Sequence, residues 1–326
     1  MISAIVPVWN GREMLERLLA SLAAQTMAAT EVLVVDNGSD DGAPELARAR
    51  GARVIPMGRN AGFASAVNRG IREARGEWLA VLNSDVELAP GYFETLVAAG
   101  APFATGKILR PGCSTLDATF DAMSRGATAW RVGSGRPDGP IFSEGRDITS
   151  PPWTAVLFRA EVFHRTGLLE ESFESYLEDV DFGLRCAELN IEGRYVPTAL
   201  ARHMGSATLG RWHPETVRRI ARNQLFLLAR HYPRPLILRW LWPILVAQLL
   251  WGAVAFGHGA GLAWLRGKFQ GLAGFAAAGR SLARPAASLL TTRLREDERL
   301  IHEIQKATGF DTYWKMYFRI TGGGAK

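Results

Sequence analysis

EVLVVDNGSDDG, residues 31–42, is an apolar run that stops abruptly at an acid, an amide and glycines. Glu31–Val35 reads as a buried strand, its Val32–Val35 run unbroken and rich in β-branched residues. Asp36-Asn37-Gly38 has the composition of a turn. The same pattern recurs on either side. Upstream, Ser3–Val8 is a strand-like run ending at Trp9-Asn10-Gly11, followed by Leu15, Leu18, Leu19 and Leu22 at helix spacing. Downstream, Arg53–Pro56 reads as a strand, Phe63–Arg75 as a helix, and Trp78–Leu82 as a fourth strand. Strand alternating with helix predicts an α/β fold with a parallel sheet covered by helices. Ligands of such sheets sit beyond the carboxyl ends of the strands. Those ends carry Asp36-Asn37-Gly38, Arg59-Asn60-Ala61-Gly62 and Asn83-Ser84-Asp85, a convergence of acids, amides and glycines on one edge.

The 326 residues hold 38 basic and 32 acidic side chains, a net +6 that averages two unlike parts. Residues 1–200 carry 19 basic and 26 acidic groups, a net −7; residues 201–326 carry 19 and 6, a net +13. This asymmetry predicts an acidic catalytic body with a basic attachment segment, and argues against a uniformly basic nucleic-acid binder. Two cysteines, Cys113 and Cys186, exclude a disulfide framework and a thiolate-rich metal site. The start has neither a basic leader nor an apolar signal core, which predicts a chain that remains in the cytoplasm. No internal repeat is visible.

Residues 110–150, rich in Gly, Pro, Ser and Arg, read as a long surface excursion. A second ordered block predicts a strand over Ala155–Arg159, a helix from Glu178 to Asn190 and a strand over Arg194–Pro197. Beyond Arg211 the chain becomes helical, basic and Trp-rich, giving a division into 1–210 and 211–326.

Several side chains have chemistry to offer. Asp36 has the charge to accept the N3–H of uracil or thymine; the plain alternative is a turn residue. Asp85 suits Mg²⁺ or Mn²⁺, which are held by one or two carboxylates plus phosphate oxygens. Glu178, Asp179 and Asp181 open a helix, where acids complement the dipole; one of them is also placed to act as a general base. His203 has an imidazole able to ligate a cation or contact a phosphate. There is no G-x-G-x-x-G after the first strand, no P-loop and no G-x-S-x-G elbow, which excludes a nicotinamide Rossmann site, a P-loop enzyme and an α/β-hydrolase.

Taken in order, VPVWNG (6–11), VVDNGSDDG (34–42), NAGFASAVNRGI (60–71), LNSDVEL (82–88), ESYLEDVDFGLR (174–185) and HMGSAT (203–208) resemble glycosyltransferase family 2. These are inverting enzymes of the GT-A fold, a Rossmann-like nucleotide-diphospho-sugar transferase architecture with a mostly parallel sheet. The likeness is closest to the rhamnosyltransferase-like branch and covers about the first 210 residues. It implies that Pro7, Trp9 and Asn10 lie along the nucleobase, that Asp36 reads it, and that Asn60 and Gly62 line the nucleotide. It further implies Asn83 and Ser84 beside the donor, Asp85 as the final acid of a D-x-D motif binding Mg²⁺ or Mn²⁺, His203 approaching the metal or diphosphate, and Asp179, paired with Glu178, as general base. Two positions depart from the family. Asn83 replaces the first acid of D-x-D, which lowers the local negative charge. Trp153-Thr154-Ala155 stands where small residues are usual, placing a bulky ring near the expected acceptor region. The donor implied is dTDP-rhamnose, with UDP-sugars as the alternative.

Leu236–Gly257 is long enough to span a bilayer, yet contains Arg239, Pro243 and Gln248. A buried hairpin, a true span and an interfacial anchor compete. Trp, Leu and flanking Arg favour the interfacial anchor on an anionic membrane surface, expected at the inner face of the cell membrane with a lipid-linked or cell-surface glycan as acceptor. A sugar-phosphate nucleotidyltransferase would need a Gly-rich basic loop where Trp9-Asn10-Gly11 stands. A non-catalytic nucleotide-sugar-binding scaffold would be expected to lack Asp85 or Asp179, and both are present.

Overall fold

Ile2–Val8 forms β1, buried along its entire length because sheet neighbours and covering helices leave neither face to water. The computed structural model describes residues 1–205, 210, 212–280 and 287–323. After β1 come α1 (Arg12–Ala23), β2 (Glu31–Asp36), α2 (Ala43–Ala49), β3 (Arg53–Pro56), α3 (Phe63–Glu73) and β4 (Trp78–Leu82). Leu15, Leu18, Leu19 and Leu22 are the buried stripe of α1, as their spacing predicts. Next are β5 (Val86–Leu88), α4 (Tyr92–Ala98), β6 (Phe103–Leu109), β7 (Leu116–Ala118), β8 (Asp121–Met123), β9 (Ala129–Arg131) and β10 (Arg146–Ile148). Then come β11 (Ala155–Arg159), α5 (Ala160–Thr166), α6 (Glu178–Glu188) and β12 (Gly193–His203). Helices follow: α7 (Pro214–His231), α8 (Arg234–Arg239), α9 (Leu241–Gly257), α10 (Gly261–Ala278), α11 (Ala287–Thr308) and α12 (Thr312–Thr321).

The chain divides into two compact units. The first is Met1–Phe120 with Gly133–Thr208; the second is Asp121–Val132 with Leu209–Lys326. The division is thus not a single cut near 210, because the β8–β9 hairpin groups with the C-terminal helices.

In the first unit the strand order is β10-β12-β6-β11-β4-β1-β2-β3, with β5 added on β12 and β7 on β6. β1 pairs in parallel with β2 and β4, β2 with β3, and β6 with β12. β11 lies antiparallel between β4 and β6. The carboxyl ends of β1–β4, β6 and β12, and the start of β11, therefore share one edge.

The expected surface excursion over 110–150 is instead partly woven into sheets, as β7 to β10. Strands of three residues are too short to display a period-2 pattern among glycines and prolines. β12 is also longer than its expected core. Pro197 has no N–H to give the ladder, and the pairing with β6 shifts register between Val196 and Leu200 before resuming to Arg202.

In the second unit, the apolar run from Leu236 is cut at Trp240 into α8 and α9. Pro243 cannot donate to the carbonyl four residues back, which belongs to Arg239, so the helix restarts. No helix among the described residues is long and apolar enough to cross a membrane. α10 lies against α7 through glycine: a Cβ on Gly267 would come within 2.3 Å of the Arg218 carbonyl oxygen. The hairpin is held by charge. The Met123 amide donates to Asp297 Oδ2 (2.9 Å), and Arg125 donates from its amide and Nε to the two oxygens of Glu298 (2.9 and 2.7 Å).

Candidate active site

At the end of β2 the carboxylate of Asp36 is buried, and its Oδ1 accepts the Ser39 amide (2.9 Å), closing an Asx turn. Asn10 reaches across from the end of β1. Its amide donates to Ser39 Oγ (2.9 Å) and its Oδ1 accepts the Asp40 amide (3.0 Å). Asn10 thus braces the turn that carries Asp36. Pro7 is buried within β1, whereas Trp9 is 40% exposed.

Asn37, not singled out by sequence reasoning, ties the next loop down. Its Nδ2 donates to the Gly62 carbonyl (3.1 Å) and to Asn60 Oδ1 (3.3 Å), and its Oδ1 accepts the Ala61 amide (2.9 Å). An amide side chain can donate and accept at once, which is the signal that could have marked it. Gly62 adopts φ +90, and a Cβ there would lie 2.9 Å from the Glu174 carbonyl oxygen. That same oxygen accepts the Ala64 amide (3.1 Å). The Asn60–Gly62 loop is therefore clamped to the segment preceding α6.

That segment is strained. Glu174, Tyr176 and Leu177 have φ of 60, 73 and 68, a left-handed backbone that side chains disfavour. It delivers Glu178 and Asp179, both buried, to the first turn of α6. Asp179 Oδ1 accepts the Val180 amide (2.9 Å). Asp181 is engaged elsewhere. It is fully buried and bonded to Arg185 Nε (3.1 Å), while Arg185 Nη1 donates to the Thr166 carbonyl (2.6 Å). One of the three acids is therefore a structural anchor.

Beyond β4, Asn83, Ser84 and Asp85 form a partly buried turn; the Asn83 amide donates to the Thr154 carbonyl (2.9 Å) and the Met204 amide to the Asp85 carbonyl (2.9 Å). His203 pairs with Val86 across β12 and β5, and this register sets its ring beside Asp85. Nε2 lies 3.1 Å from Asp85 Oδ1, and Nδ1 lies 2.9 Å from Asp117 Oδ2. Burial opposes a charge on this imidazole, but the hydrogen bonds to Asp117 and then Asp85 outweigh it and push His203 up to about 9. Asp117 sits on β7, inside the stretch taken for loop, and nothing in the sequence marked it.

This pair suits a divalent cation. A carboxylate oxygen and an imidazole nitrogen face each other at the strand ends, the mixed donor set that Mn²⁺ accepts. No group of three or more His, Cys, Asp or Glu among the described residues is arranged to hold a metal. Asp117 is bonded to the opposite nitrogen of the ring, so it does not converge with Asp85. Two protein donors would be few for such a cation alone, and fit one that is held in part by phosphate oxygens, as is usual for Mg²⁺ and Mn²⁺.

Trp153, expected to crowd the acceptor region, is buried. Its ring packs on Phe158, Phe182 and Phe163 at centroid distances of 4.9, 5.0 and 6.3 Å. The indole takes a place in the core, where its large apolar surface is worth most. Of the segment HMGSAT, Ser206, Ala207 and Thr208 lie outside the described residues.

A sheet with this order and edge has the architecture of the GT-A fold, and solved structures of that fold share it. GalNAc-T7, solved with UDP, GalNAc and Mn²⁺, superposes with a TM-score of 0.59 at 13% identity over 99% of this chain, which spans only 56% of that one. The mannosyltransferase PcManGT of Pyrobaculum calidifontis, in complex with GDP-Man and Mn²⁺, gives 0.50 at 19% identity over 97% of this chain and 85% of that one. At such identities the likeness is one of fold. Residues 3–101 match the family described as Glycosyl transferase family 2. An N-acetylglucosaminyl-diphospho-decaprenol L-rhamnosyltransferase of Mycobacterium tuberculosis is 32% identical over 226 residues, covering 60% of this chain and 74% of that protein. The succinoglycan biosynthesis protein ExoO of Rhizobium meliloti is 35% identical over 187 residues, 53% of this chain and 47% of that one. The chain belongs to glycosyltransferase family 2 and is a glycosyltransferase.

Proposed function

We propose that this enzyme transfers rhamnose from dTDP-rhamnose, with inversion, to a hydroxyl of a lipid-linked or cell-surface glycan. What carries the proposal is the arrangement at one sheet edge. Asp36 stands at the end of β2, Asp85 with His203 beyond β4, and the strained 174–177 segment before Asp179 is clamped to Gly62. The choice of sugar rests on the rhamnosyltransferase relative. Asp36 would accept the N3–H of thymine or uracil alike, so a UDP-sugar is the alternative donor.

In this mechanism Trp9 flanks the base, Asn60 and Gly62 line the nucleotide, and Asn83 and Ser84 lie beside the donor. Asp85 and His203 would hold Mg²⁺ or Mn²⁺, whose charge offsets that of the diphosphate. Asp179, with Glu178 beside it, takes the proton of the acceptor hydroxyl as that oxygen attacks the anomeric carbon. The bond to the diphosphate oxygen breaks on the opposite face, and the nucleotide leaves with the electron pair. One displacement inverts the anomeric centre. Asp179→Asn should lower turnover by about 10²–10⁴-fold, the usual contribution of a general base, with donor affinity by calorimetry close to wild type. Near-normal turnover of that variant would sink the assignment. Rhamnose transfer to an N-acetylglucosaminyl-diphospho-lipid, compared with transfer from UDP-sugars, tests the substrate.

Peripheral attachment to the cytoplasmic membrane face fits the second unit. Residues 216–295 hold twelve Arg or Lys and no Asp or Glu. Along α8 and α9, Leu238, Leu241, Trp242, Leu245, Leu249 and Phe256 are exposed at helix spacing, and Leu262 and Phe269 on α10 are 80% and 69% exposed. Large apolar side chains left in water beside cations, with no acid to repel lipid phosphates, suit an anionic interface. The protein should float with vesicles containing anionic lipid, and Leu245→Glu with Leu249→Glu should abolish flotation without changing donor affinity. A wild-type protein that stays with the soluble fraction at low salt would end the attachment proposal.

A further inference from the structure

We infer that Asp117 is a positioning residue for the divalent-cation site: it fixes the ring of His203 so that Nε2 points at the space beside Asp85. The inference rests on the proposed role of Asp85 and His203 as the cation's protein ligands.

Three features of the structure converge on it. The first is the geometry of the ring, whose two nitrogens have separate carboxylate partners, Asp117 Oδ2 at 2.9 Å on Nδ1 and Asp85 Oδ1 at 3.1 Å on Nε2. A cation would take the place of the proton shared between Nε2 and Asp85. A histidine whose Nδ1–H is held by a carboxylate then presents its Nε2 lone pair in a fixed direction, and the carboxylate makes that nitrogen a better donor. The second is how Asp117 is aimed. Its neighbours on β7, Leu116 and Ala118, are fully buried, so alternation sends Asp117 to the opposite face. The β6–β7 pairing is irregular between Ile108 and Leu109, the kind of local defect that re-aims a side chain. The third is rigidity. The Leu116 amide donates to the Arg136 carbonyl (2.8 Å) and the Gly135 amide to the Leu116 carbonyl (2.9 Å) on one side, and β7 pairs with β6 on the other, so it is tied on both sides. His203 is fixed by its own ladder to β5. Both partners are thus on anchored backbone, and their contact is set without a ligand.

A surface ion pair would have no reason to be so placed. Asp117 and His203 are only 17% and 11% exposed at the side chain, and the aspartate meets the ring on the nitrogen that Asp85 leaves.

Mn²⁺ affinity, measured by electron paramagnetic resonance with UDP present, tests this without turnover. Asp117→Ala should weaken Mn²⁺ binding about 10–100-fold, the usual effect of removing an outer partner of a metal-bound histidine. UDP affinity in the absence of metal should be unchanged. Asp117→Asn, which keeps the shape and an accepting oxygen, should retain part of the affinity and serves if the alanine variant folds poorly. In a His203→Ala background, Asp117→Ala should cost nothing further, because its effect passes through the ring. Equal Mn²⁺ affinity in wild type and Asp117→Ala would overturn the inference and leave the cation site standing, as would fully additive losses in the double variant. Failure of the wild-type protein itself to bind Mn²⁺ with UDP would overturn the cation site and the inference together.

Discussion

Asp179 and Asp181 are two positions apart and face different fates. Asp181 is fully buried against Arg185, and removing one member of such a pair strands the other charge. Asp181→Asn is therefore expected to cost about 3–5 kcal/mol of stability, read as a lowered midpoint in urea. Asp179→Asn, which keeps the oxygen that accepts the Val180 amide, should cost clearly less. If the two variants unfold alike, the division of labour between them is wrong. Gly62 gives a second test at this scale. With φ +90 and the Glu174 carbonyl 2.9 Å from its would-be Cβ, Gly62→Ala has to displace the segment leading to Asp179. A loss of about 1–3 kcal/mol is expected, together with weaker donor binding by calorimetry. Unchanged donor affinity would show that the clamp does not shape the nucleotide loop. Asp36 and Asp85 stand out in the sequence because they follow apolar strand-like runs, and His203 because of its imidazole within HMGSAT. Asn37 and Asp117 do not: one acts by bracing a neighbouring loop, the other through a three-residue strand.

At the scale of elements, the first four strands and two of the helices between them, α1 and α3, follow from local pattern, whereas α2 is not read from it. Each strand is an apolar run long enough to see, and α1 and α3 show buried stripes at helical spacing. The elements between 110 and 150 resisted because each strand is only three residues long, and one of them depends on a partner far along the chain. β10 exists by pairing with β12, some fifty residues later. The cut between α8 and α9 was foreshadowed by Pro243, though the run around it reads as one span. α10 carries its own test. Ala is a better helix former than Gly by about 1 kcal/mol. Yet at Gly267 the added methyl would press on the Arg218 carbonyl at 2.3 Å. Overpacking costs about 1–3 kcal/mol, so Gly267→Ala should be destabilising on balance. A raised melting temperature would mean that α7 and α10 can part without penalty.

Across the whole molecule, charge is unevenly divided between the units, and the second unit has its own response to pH. Lys268 is partly buried among α7, α9 and α10, donating to the Ala221 carbonyl (3.0 Å), to Gln224 Oε1 (2.8 Å) and to Gln248 Oε1. Burial pulls its ammonium down from 10.5 to about 7. Between those values the unfolded chain holds a proton that the folded one releases. Stability of the second unit therefore rises with pH across that window, by at most about 1.4 kcal/mol per pH unit. Lys268→Met should flatten the rise, followed by urea unfolding at pH 7, 8.5 and 10. Equal slopes for both proteins would contradict it. The same unit's basic excess predicts vesicle binding that weakens with salt as screening shortens.

The hairpin of β8 and β9 emerges early in synthesis, but its partner Asp297 lies 174 residues later than Met123. At about 5–20 residues per second, translation leaves it waiting roughly 9–35 s. Throughout that interval the amide of Met123 and the guanidinium of Arg125 have none of their final acceptors. The nascent catalytic half thus carries a loose end that only completion of the chain can settle, and a ribosome stalled before residue 297 would present a protease with a ready place to cut.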